Sequence, residues 1–82
     1  MAHLPHARAE RHLKAFKRAG WRVARVTGNH YILTKEGVDF HLSIPYHGGR
    51  IVKTGLLKGL IRDADLMNDE YLDLFYGKKR QS

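Results

Sequence analysis

Residues 38–44, VDFHLSI, alternate without a break: Val38, Phe40, Leu42 and Ile44 are apolar, while Asp39, His41 and Ser43 are polar. A period of two puts each set on its own face of an extended strand, so the stretch specifies a sheet with one face to be covered and one left open. The cover has to come from segments whose apolar period is near 3.6, and two of these flank the strand. Upstream, Ala9, Leu13 and Phe16 recur at i, i+4 and i+7, with Arg11, Lys14 and Arg18 as a basic stripe at the same helical spacing. Downstream, Leu56, Leu57, Leu60, Ile61 and Ala64 share one side of a helix starting at Thr54 or Gly55, and Lys58 and Arg62 lie off that side.

Local signals set the boundaries. Pro5 suits a position near the start of the first helix and Gly20 the left-handed cap that ends it, with residues 1 to about 5 expected to be mobile. WRVARV, the TGN turn and HYILT read as a hairpin, and the KEG turn leads into the third strand. PYHGGR breaks the strand pattern. Asp65 is expected to end the second helix. A short last helix begins at Met67 or Asn68, with Leu72, Phe75 and Tyr76 facing inward. Trp21 reads as core and the GKKRQS tail as a solvated basic end. The fold class is therefore α+β, in the order helix, three antiparallel strands, helix, short helix. One domain spans residues 1–82, with its core at about 8–76, and both main helices pack on one sheet face.

A chain of 82 residues buries only about 60% of the surface its unfolded form exposes. It has no cysteine, so neither disulfides nor thiolate zinc can add to that core. No apolar run approaches the roughly 20 residues that span a bilayer, and the N-terminus lacks the apolar stretch of a signal peptide. A cytoplasmic protein is expected. Lys plus Arg number 15 against 8 Asp plus Glu, a net charge of +7, which favours a polyanionic partner such as nucleic acid.

Two short stretches can carry chemistry. In TGNH, Gly28 lets a ligand approach the backbone closely, Asn29 tolerates a left-handed conformation, and His30 supplies an imidazole, which titrates near about pH 6.5 when unperturbed. In IPYHGGRIVK, residues 44–53, two glycines loosen the loop, His47, Arg50 and Lys53 bring donors to it, and Tyr46 offers a face for an unpaired base. Each stretch alone can equally be a turn with polar flanks. Elsewhere, His3 and His6 lack a third ligand and no metal is expected. His12 reads as solvated among the charges of the first helix, and His41 as a possible RNA contact on the polar face of strand three.

No Walker loop, HExxH, GxSxG or paired acidic cluster is present. A hydrolase built from these residues would use histidine and cations, without a cofactor. RNA permits that chemistry, because its own 2′-hydroxyl can attack the adjacent phosphate once deprotonated.

With AGW closing the first helix, then GNHY, IPYHGG and VKTGLLKGLIRDADL, the chain from about residue 10 to 75 resembles the HicA-type (YcfA-like) toxins of HicA/HicB toxin–antitoxin pairs. The resemblance implies a domain similar to the double-stranded RNA-binding fold, cleavage of messenger RNA without metal, and silencing by a HicB-type antitoxin. It places the catalytic histidine at His30 and the family's glycine at Gly28. Gly28, Asn29, His47, Arg50, Lys53 and Lys58 are then the expected RNA contacts. The chain departs from the family where many members have Pro-Gly-Thr before the second helix, so a hydroxyl cap at Thr54 is moved or lost, and Asp65 stands where a glycine cap is common. The rival readings are a non-catalytic RNA-binding module on the same fold and a small protein-binding adaptor.

Overall fold

The computed structural model describes residues 3–46 and 49–77. Its elements are α1 (Ala9–Arg18), β1 (Arg22–Val26), β2 (His30–Thr34), β3 (Leu42–Pro45), α2 (Thr54–Asp63) and α3 (Asn68–Tyr76). The strands form one antiparallel sheet in the order β1-β2-β3, so the expected α+β order holds. No helix among the described residues is long and apolar enough to cross a membrane.

The core lies between the sheet and the helices. Leu33, Leu42 and Ile44 come from the sheet, Ala9, Ala15 and Phe16 from α1, and Leu57, Leu60 and Ile61 from α2. Register follows from that burial: Tyr31 pairs with Ile44 and Leu33 with Leu42, which puts His30, Ile32 and Ser43 on the opposite, open face. Trp21 is buried as expected.

Both main helices end in the same way. After α1 the Trp21 amide donates to the Phe16 carbonyl and the Gly20 amide to Lys17, with Gly20 at φ 99°. After α2 the Leu66 amide donates to Ile61 and the Asp65 amide to Arg62. Asp65 takes φ 61°, a left-handed position that a side chain occupies at a cost of about 1–2 kcal/mol. Thr54 caps nothing: Lys53 is the N-cap of α2 without a side-chain bond, and the Thr54 hydroxyl lies 3.5 Å from Nε2 of His6.

Four expectations are corrected. The third strand begins at Leu42, not Val38, because the Lys35 carbonyl accepts the Val38 amide and the ladder stops at Leu33–Leu42. Phe40 instead lies half-exposed over Trp21, and His41 precedes the strand. In α3 the inward residues are Tyr71 and Phe75, while Tyr76 is exposed and Leu72 only half-buried. The N-terminal extension is not detached. Leu4 and Ala7 are buried, the Val52 amide donates to the Ala7 carbonyl at 2.9 Å, and Arg8 pairs with Ile51 in an antiparallel bridge.

His12 is the fourth correction, since it is fully buried between α1 and α3. Its Nδ1 and the Tyr71 hydroxyl share a hydrogen bond of 2.5 Å, and the ring packs against Phe75. Burial first, and the neighbouring Arg11 charge second, lower its pKa to about 4; the nearby Ala7 carbonyl pulls the other way, although Nε2 makes no hydrogen bond of ordinary geometry. Burial also pushes the Tyr71 hydroxyl up. Arg18 ties the same corner: its guanidinium donates to the Leu74 carbonyl at 2.6 Å, at the negative end of α3.

Candidate nucleic-acid interface

The β1–β2 hairpin turns over Gly28 and Asn29, and the Thr27 side chain organises it. The Thr27 amide and hydroxyl donate to the His30 carbonyl at 2.9 and 3.2 Å, and the His30 amide donates to the Thr27 hydroxyl at 3.1 Å. These bonds hold the turn with no residue in the left-handed region, so of the two roles open to Asn29, a left-handed conformation or a bond to the backbone, the first is not used. The Asn29 carbonyl instead accepts the Tyr46 amide at 2.7 Å. His30 is therefore fixed through its backbone, while its half-exposed imidazole meets no hydrogen-bond partner among the described residues.

Gly28 has two properties that separate fold from function. Its φ lies outside the left-handed region, and a Cβ built there would have nothing within 4 Å. Neither backbone nor packing demands glycine. What the missing side chain leaves is open approach to the backbone beside His30.

The two stretches adjoin. His30 pairs with Pro45 across β2 and β3, and Pro45 also lines a groove of about 270 Å³ with Arg50, Ile51, Val52, Lys53 and Leu56. Arg50 and Lys53 are exposed, and Gly49 turns the loop at φ 95°. His47 lies outside the described residues, as does Gly48. Lys58 is exposed on α2 but lines no part of this groove.

Two cations were not legible as site residues. Arg22 and Arg25 lie three positions apart, which in a regular strand sends them to opposite faces. A bulge at Ala24 resets the register, pairing Arg22 with Thr34 and Arg25 with Ile32, so both join His30 on the open face. No residue type in WRVARV announces that bulge. The basic stripe of α1, by contrast, is partly occupied: Arg18 holds the end of α3, and the Arg11 guanidinium sits 4.6 Å above the Phe75 ring.

Among the described residues the one ion pair is Arg62–Asp63, at 4.0 Å on the surface. Beside the turn, the Tyr31 and Tyr46 rings pack edge to face at 5.5 Å, and desolvation, then the Glu10 and Tyr46 charges, raise the Tyr31 pKa.

The sequence model of a family described as the HicA toxin of bacterial toxin–antitoxin systems matches residues 9–66, from the first residue of α1 past the end of α2. No curated relative matches the chain.

Proposed function

The chain belongs to the HicA toxin family, and from that premise we propose that it is an endoribonuclease in which His30 acts on the RNA 2′-hydroxyl without a metal ion. The observation that carries the reading is the free imidazole of a residue whose backbone is bonded on both sides, next to the open Gly28 turn and the Arg50–Lys53 groove.

The chemistry balances with one imidazole. His30 accepts the 2′-hydroxyl proton as the 2′-oxygen bonds to the adjacent phosphorus. The bond from phosphorus to the 5′-oxygen breaks, and the imidazolium returns its proton to that oxygen. The products are a 2′,3′-cyclic phosphate and a 5′-hydroxyl. Arg50 and Lys53 stabilise charge on the non-bridging oxygens, with His47 and the Gly28 and Asn29 amides as further donors. Arg22, Arg25 and Lys58 raise the local concentration of RNA. A HicB-type antitoxin neutralises the toxin by covering His30.

Single-stranded RNA incubated in excess EDTA with wild type and His30→Ala tests the reading. The wild type should cleave and leave cyclic-phosphate ends, and the variant should be slower by about 10³-fold while still binding. Binding without cleavage by either protein would instead establish the non-catalytic module.

A further inference from the structure

Ile51 is 56% exposed, and it divides two grooves. On one side lies the Arg50–Lys53 groove that starts at Pro45, opposite His30. On the other is a larger hollow of about 570 Å³ walled by His6, Ala7, Arg8, Glu10, Arg11 and Ile51 itself. Pro45, the register partner of His30, lines the first groove, Ile51 lines both, and Arg8 lines the second, which links the turn to the N-terminal extension.

We propose that this second hollow is a nucleotide subsite, in which Arg8 and Arg11 hold an RNA phosphate remote from the one beside His30. The proposal rests on the RNA reading above and extends it to a part of the chain, residues 6–8, that the family match leaves out.

Three observations support it. Arg8 is held in place: its backbone bridges to Ile51, and its guanidinium lies against Gly49, 3.8 Å from where a Cβ would stand. Its charge is unspent, because neither Arg8 nor Arg11 forms an ion pair among the described residues. The Arg11 guanidinium lies over the Phe75 ring, 4.6 Å from its centroid, a contact that uses the ring face and none of its N–H donors. Glu10 shares the wall without pairing to either arginine, and its charge acts on Tyr31 instead. The exposed Ile51 offers an apolar rest for a base as the strand crosses from one groove to the other. A protein partner with an acidic surface would use the same cations, yet two grooves in series, with the exposed Ile51 between them, suit an extended strand.

The test uses 2′-O-methyl oligoribonucleotides of about 4 and about 12 nucleotides, which cannot be cleaved because the nucleophile is blocked. Binding is read by fluorescence anisotropy over a range of salt. Wild type should bind the long oligomer at least about tenfold tighter than the short one. Arg8→Gln should lose most of that preference, and its log Kd against log salt should flatten by about 0.7, the value of one single-strand phosphate contact. Arg8→Lys, which keeps the charge, should restore the slope, separating electrostatic loss from a folding defect. Equal affinity and slope for wild type and Arg8→Gln on the long oligomer would overturn the subsite. So would binding of an acidic polyglutamate peptide, weakened by Arg8→Gln, in place of either oligomer. Failure of the His30 reading shows separately, as RNA bound but uncut in the EDTA assay.

Discussion

His12 and His30 carry the same side chain into opposite surroundings. His12 has its imidazole sealed between α1 and α3, bonded to Tyr71 and flanked by Phe75, with a pKa near 4. His30 has its backbone amide and carbonyl both tied to Thr27 and its half-exposed imidazole without a hydrogen bond among the described residues. In the first the ring itself is the structural part, and its protonation opposes folding. In the second the structure grips everything except the ring. A histidine available for proton transfer is one the fold positions through its main chain, without using its nitrogens.

That contrast can be broken most decisively at the buried corner. Tyr71→Ala removes a fully buried ring and leaves Nδ1 of His12 unpaired, and should cost about 4 kcal/mol by urea denaturation. If it costs less than about 1 kcal/mol, the α1–α3 corner is not where stability resides. The next effect comes from acid. Unfolded His12 takes its proton near 6.5, whereas the folded protein resists it until about 4. Between these values the unfolded state binds more protons, so stability should fall as pH drops from about 6.5 and level off below about 4, by about 3 kcal/mol in all. Unfolding curves for the His12→Leu, Tyr71→Phe double variant should lack that fall, and a fall of equal size there would refute the assignment. The smallest effect on stability belongs to the turn. Gly28→Ala should change it by no more than about 0.5 kcal/mol, because nothing lies near the new methyl, yet weaken cleavage in EDTA about tenfold by crowding the approach to His30. Unchanged cleavage would mean that RNA does not pass there.

Much of this was legible along the chain, for definite reasons. Element order followed from the change of apolar period, and the helix ends at Gly20 and Asp65 from the need for a left-handed residue. His12 was misread because its charged neighbours outweighed its place on the buried stripe, three residues after Ala9 and four before Phe16. That signal was present. The early start given to the third strand failed because alternation at 38–40 cannot show that the Lys35 carbonyl is already taken by a turn. At the site, His30, Gly28, Arg50 and Lys53 were readable as types in glycine-containing turns. That the two stretches adjoin was not, since the His30–Pro45 register and the Asn29–Tyr46 bond depend on strand pairing. The Ala24 bulge and the Arg8–Ile51 bridge are likewise properties of backbone register, which side-chain identities do not encode locally.

The bridge also orders events during synthesis. The β1–β2–β3 meander joins neighbours through short turns, whereas residues 7 and 8 must find 51 and 52 across most of the described chain. Contacts between such distant segments carry a larger loop-closure cost and form late. A nascent chain can therefore display the His30 turn before the hollow between residues 6–11 and Ile51 exists, and the two grooves beside Ile51 stand together only once the N-terminal segment has docked. For a member of a toxin family, that order leaves the partly made chain without one of the two grooves of the finished one.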